Sequence, residues 1–143
     1  MLDPLSSLPG YVLSRAAAAS LAELNKRLGK IGLRHSDVSL LILVKANPGL
    51  TQSDAGKLLD IQRANMVPLV SRLLDQSLIS KEPVDGRSQG LLLTAKGKKL
   101  LRAAQAVIDD HEVRLQQSIP EDLRPHLLPI LHALWDSSRT GSD

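Results

Sequence analysis

Arg63 and Asn65 stand two residues apart, and each side chain can form a pair of hydrogen bonds with a planar partner. A guanidinium matches the O6 and N7 acceptors of guanine, and a carboxamide matches N6 and N7 of adenine. Each such pair separates right from wrong base by about 1–3 kcal/mol. Arg72 lies about two turns farther along a predicted helix, within reach of phosphate. Thr51, Gln52 and Ser53 open the preceding predicted helix, where free backbone N–H groups attract anions. Contacts of that second kind position a duplex but do not read it. Plainer roles compete for the same side chains: Asn65 as a helix cap, Arg63 as a solvated cation, Arg72 as the ion-pair partner of Asp75 or Asp85.

The element that must carry most of these groups is RANMVPLVSRLLD, residues 63–75. Val67, Val70 and Leu74, with Met66 and Leu73 beside them, repeat at helical spacing and predict one buried face. Ala64, Asn65, Pro68, Ser71, Arg72 and Asp75 are left on the opposite, outward face. Pro68 conflicts with the pattern, because an interior proline removes a donor and clashes with the carbonyl four residues back, at roughly 3 kcal/mol or more. Two solutions stay open. Either Asn65 caps the helix and Pro68 falls in its first turn, where no donor is needed, or the helix starts near Gln62 and bends.

Around this segment the same reasoning predicts a helix over 11–29 and another over 36–46, capped by Ser36 and closed by NPG (47–49). Thr51 starts a short helix with Asp54 at its third position, a variant capping box, ending at LLDI (58–61). ISKEPV (79–84) and QGLLLT (89–94) flank DGRS (85–88), and an Asp-Gly pair between extended runs signals a hairpin. Pro83 suits an edge strand, and Asp85 is better placed to hold the turn than to approach phosphate. A long helix follows from Ala95, capped by Thr94, with Leu100, Ala104, Val107, Ile108, His111 and Leu115 on one stripe. Pro120 opens a last helix over 121–137, with Pro129 inside it as a kink.

At 143 residues, 43% hydrophobic and 23% charged, the chain has the make-up of one globular domain. With no Phe, one Tyr and one Trp, its core must come from aliphatic side chains, which favours packed helices. The absence of cysteine excludes disulfides, thiolate metal sites and thiol nucleophiles. His126 and His132 are six apart, a poor spacing for a metal, and no cofactor is expected. The longest apolar run, LLILV (40–44), is far short of a span, and the first residues lack a signal-peptide pattern, so a cytoplasmic protein with no membrane partner is expected. Charge is uneven. Residues 45–102 hold ten Lys/Arg against five Asp/Glu, whereas 103–143 hold three against seven. A basic middle is a footprint of nucleic-acid binding. No Ser-His-Asp set, carboxylate pair or phosphate loop is legible, so an enzyme is not expected.

Two short helices joined by a tight turn and followed by a hairpin describe a winged helix-turn-helix, in a mostly α fold. LTQSDAGKLLDIQRANMVPLVSRL (50–73) and DGRSQGLLLTAKG (85–97) resemble the MarR family of bacterial transcription regulators, above all in Asp85, Arg87 and Ser88 followed by Leu91, Leu93, Thr94 and Gly97. The resemblance covers nearly the whole chain. It departs at Ala55 and Gly56, where the family commonly has a bulky residue and then Ala, and at Asp60, where Gly is common. Gly56 allows close helix approach, and Asp tolerates a left-handed turn.

The resemblance implies a single domain over 1–143, with long N- and C-terminal dimerisation helices (1–34 and 103–143) and a DNA-binding lobe with one β-hairpin wing (35–102). Apolar residues on more than one side of LLPILHALW (127–135) agree with a partner subunit. It further implies that Arg87, with Ser88 beside it, enters a minor groove, although DGRS is also a competent turn without a ligand. A pocket for a phenolic or aromatic acid would draw on Tyr11, Arg15, His35 and His111, for which solvation and helix capping are the simpler roles. The function expected is a homodimeric, sequence-specific DNA-binding regulator, a repressor relieved by a small-molecule effector, on a pseudo-palindromic double-stranded operator. A winged-helix protein-interaction module is the alternative.

Overall fold

The computed structural model describes residues 1–141. A 3-10 turn, Pro4–Ser7, leads into α1 (Pro9–Gly29), and α2 follows at His35–Ala46. Ser36 does not cap α2. The helix begins one residue earlier: Asp37 in its own first turn accepts from Arg34 N through Oδ2 at 2.8 Å, and Asn25 Oδ1 of α1 accepts from His35 N at 2.8 Å. The second of these bonds, supplied by another helix, leaves no local signature.

Then come β1 (Leu50–Thr51), α3 (Gln52–Leu59), α4 (Arg63–Asp75), β2 (Ile79–Pro83), β3 (Gln89–Leu93) and α5 (Ala95–Gln117). Thr51 caps α3, its Oγ accepting from Asp54 N at 3.1 Å and donating to Asp54 Oδ2 at 3.0 Å. Thr94 caps α5, accepting from Gly97 N at 2.9 Å. The last helix does not start at 121. Glu121–Leu123 forms a 3-10 turn and α6 runs Arg124–Thr140, with Pro125 in its first turn and Pro129 in its interior. Among the described residues no helix is long and apolar enough to cross a membrane.

The sheet is antiparallel, in the order β1-β3-β2. Pro83 lies on edge strand β2, where a missing donor costs no ladder bond. β1 was not expected. Its two residues pair Leu50 with Leu91 and Thr51 with Gly90, too short a run for alternation to register. Gly90 makes that pairing fit: a Cβ there would lie 2.4 Å from the Gly49 carbonyl oxygen.

The chain falls into two compact units, Met1–Ile108 and a second beginning at Asp109. The core of the first is aliphatic throughout, with Leu28 of α1, Leu41 of α2, Met66 and Leu73 of α4, Leu78 and Leu91 all fully buried. In the second, Leu128, Ile130, Leu134 and Trp135 of α6 are exposed.

Candidate nucleic-acid interface

α3 and α4 are joined by a turn at 60–62. Asp60 takes the left-handed conformation (φ 52°), as the departure from glycine requires, and Ile61 N donates to Gly56 O at 2.9 Å. Gly56 lets the helices close: a Cβ there would stand 3.1 Å from both Ile61 O and Met66 Cγ. α4 starts at Arg63 with Gln62 as its flanking residue, and Asn65 N donates to Gln62 O. Asn65 is therefore not the cap, and Pro68 is the sixth helical residue. Of the two solutions left open, the early start holds.

The buried face of α4 is Met66, Leu69, Val70 and Leu73. Val67, expected inside, is 53% exposed, and Leu69 takes its place. The outward stripe is Ala64, Val67, Pro68 and Ser71, with Arg63 and Asn65 exposed at the N-terminal end. Arg72 does not belong to that face. Its guanidinium pairs with Asp37 at the start of α2, whose side chain is 3% exposed, and not with Asp75 or Asp85. The partner is 35 residues away in sequence, so neither charge pattern nor helical spacing discloses it.

Between α3, the start of α4 and the wing lies a groove of ≈ 810 Å³, lined by Gln52, Ser53, Lys57, Arg63, Lys81 and Arg87 among others. Four cations thus face one carboxylate, Asp60. Lys57 and Lys81 escaped the sequence reading. Lys57 follows Ser53 by one helical turn, a spacing that would have found it, while Lys81 depends on how the hairpin folds back over α4. Thr51 does not line the groove, and its hydroxyl is occupied by Asp54. Ser88 is exposed in the wing turn, where its N–H serves Asp85.

The wing turn is built around that carboxylate. Asp85 Oδ1 accepts from Arg87 N at 2.9 Å and Ser88 N at 2.7 Å, and Val84 N donates to Ser88 O at 3.0 Å. These backbone donors, Arg87 first and Ser88 second, hold the Asp85 pKa below its ordinary value. The depressed folded-state pKa means that the turn's stabilisation is full above the unfolded value and is lost as pH falls through the folded one. In an acid titration followed by NMR, the Arg87 and Ser88 amide signals should move together with Asp85, at a midpoint below that of a free aspartate. A midpoint at the free value would show that Asp85 does not organise the wing.

The residues expected to form a small-molecule pocket do not converge within the first unit. Tyr11 and Arg15 sit one turn apart on α1, both exposed. His35 is held beside Asn25, with Nδ1 3.4 Å from the Asn25 carboxamide nitrogen. Tyr11 precedes Asn25 by fourteen helical residues, about 21 Å along the axis. His111 is buried, and lies in the second unit.

Comparison with known proteins agrees with this geometry. A model of the MarR family matches residues 31–88. The chain is similar to a solved structure described as the transcriptional repressor CouR bound to a 23-mer DNA duplex. They share 32% identity over 94% of this chain and 98% of that one, with a TM-score of 0.86. A CouR structure bound to p-coumaroyl-CoA is 31% identical, over 94% and 96% of the two chains, with a TM-score of 0.84. The HTH-type transcriptional repressor Rv2887 of Mycobacterium tuberculosis (strain ATCC 25618 / H37Rv) is 26% identical over 108 residues, covering 74% of this chain and 78% of that protein.

Proposed function

The chain belongs to the MarR family of transcription regulators, and from that premise we propose that it is a cytoplasmic, homodimeric, sequence-specific DNA-binding repressor and not an enzyme. The observation that carries this reading is the groove in which Lys57, Arg63, Lys81 and Arg87 surround the N-terminal end of α4. Helix-turn-helix proteins bring that end of the second helix to the base edges. In this reading Arg63 and Asn65 read bases, the amides of Gln52 and Ser53 with Lys57 and Lys81 hold phosphates, and Arg87 reaches the adjacent minor groove. The relative solved on a DNA duplex supports it.

The exposed apolar residues of α1, among them Val12 and Leu13, and those of α6 supply surface for a second subunit. A two-fold dimer presents two copies of α4 to half-sites about one helical turn apart. The relative bound to p-coumaroyl-CoA supports release by a small aromatic acid or its thioester. Such a ligand acts only by binding the DNA-competent arrangement less well than the other. With Tyr11 and His35 far apart on one chain, its site would draw on both subunits.

Duplex binding measured across a salt series tests the reading. Affinity should fall steeply as salt rises. Arg87→Ala should weaken binding to cognate and unrelated duplexes alike and lower the salt slope by about one. Affinity independent of salt would overturn the DNA-binding reading, while steep salt dependence with an unchanged slope in the variant would remove Arg87 alone from the interface.

A further inference from the structure

The surface of α4 turned away from the core has an unusual make-up for a helix proposed to read bases. Ala64, Val67, Pro68 and Ser71 fall on one stripe at helical spacing and are all exposed. Ala64 and Ser71 each lie three or four residues from both Val67 and Pro68, so the four side chains share one strip of helix surface. The long polar side chains stand at the N-terminal end, in Arg63 and Asn65, and Arg72 is withdrawn to Asp37. The middle of the stripe offers methyl groups, ring methylenes and one hydroxyl. Val67 is a branched aliphatic side chain, 53% exposed, next in sequence to Met66, which lines the basic groove together with Arg63. An apolar patch on a helix that starts at that groove fits an anionic partner that carries apolar groups of its own.

The major groove of DNA offers one such group, the C5 methyl of thymine. We propose that Val67 and Pro68, with Ala64 behind them, form a methyl-reading surface, and that each half-site owes part of its specificity to thymine methyls packed on these residues. The inference rests on the DNA-binding reading and adds the kind of base read and the residue that reads it. Pro68 contributes ring methylenes to the stripe. Arginine and asparagine contacts depend on base heteroatoms, which deoxyuridine shares with thymidine. Packing on the methyl does not survive that exchange.

The test starts from a duplex selected by the full-length protein out of a randomised double-stranded library. Each thymidine is then replaced in turn by deoxyuridine, which removes the methyl group alone. Affinity should fall about fourfold for each methyl that packs on α4. With Val67→Ala the penalty should disappear at one position in each half-site and persist elsewhere. Val67 is exposed, so the variant should fold as the parent does. Equal affinity for the fully deoxyuridine-substituted duplex overturns the inference and leaves the DNA-binding reading standing, as does a penalty pattern unchanged in Val67→Ala. Selection that enriches no sequence overturns both.

Discussion

Arg72→Ala is expected to cost about 3 kcal/mol of folding stability, the low end of what breaking a buried ion pair removes. The variant leaves the Asp37 carboxylate buried, with the backbone N–H of Arg34 as its remaining named partner. Arg72 is itself 33% exposed, so part of its own desolvation was never incurred, and the estimate stays at the low end. For a chain of this size the melting temperature should drop by on the order of 10 °C. Replacing both partners, Asp37→Leu with Arg72→Met, should recover most of the loss, because no uncompensated charge remains. At a temperature where Arg72→Ala is folded, the salt slope of DNA binding should match the parent's. An unchanged melting temperature with a lowered slope would sink the structural role and return Arg72 to the phosphate contacts.

The second large effect is expected at Gly97. It occupies the first turn of α5, where its N–H donates to the capping hydroxyl of Thr94. That hydroxyl donates in turn to Ser77 O at 2.6 Å, and Thr94 N donates to Leu78 O at 3.2 Å. The start of α5 is thereby drawn against the backbone that enters β2. A Cβ on Gly97 would lie 1.9 Å from the Leu78 carbonyl oxygen and 2.9 Å from its carbon. Both atoms are backbone, so relief requires moving the helix off the strand.

Gly97→Ala should cost about 3 kcal/mol or more, beyond the usual overpacking range, although alanine gains close to 1 kcal/mol of helix propensity over glycine. Gly29→Ala is the matched control, since a Cβ at the end of α1 meets nothing within 4 Å, and it should be neutral to slightly stabilising. Chemical denaturation of the two variants decides the matter. Equal stability at position 97 would show that the junction between α5 and β2 is loose. The Thr94 and Gly97 pattern that resembles the family's wing signature thus has a structural meaning: cap, clamp and close approach.

Much of the fold was legible because it rests on contacts between near neighbours. Thr51 over Asp54, Asp85 over Arg87 and Ser88, and Thr94 over Gly97 each close a loop of two or three residues, and the residue types at those offsets announce them. The order of helices and hairpin follows from such signals and from hydrophobic period, and with it the family resemblance. The exposure of Arg63 and Asn65 at the start of α4 was legible for the same reason, since it needs only their place in the helix.

What the tertiary structure alone decided are choices that near neighbours leave balanced. With apolar residues at 66, 67, 69, 70, 73 and 74, α4 could bury either of two overlapping faces. Packing against α2 and α3 selected the one that holds Leu69 and releases Val67. The partner of Arg72 was chosen across 35 residues by where α2 passes α4, and the bond that holds the His35 amide at the start of α2 came from Asn25 on another helix. Lys81 entered the basic groove because β2 folds back toward α4. In each case the outcome is decided by contacts between separate elements of the fold, of which the spacing of residues within one element carries no trace.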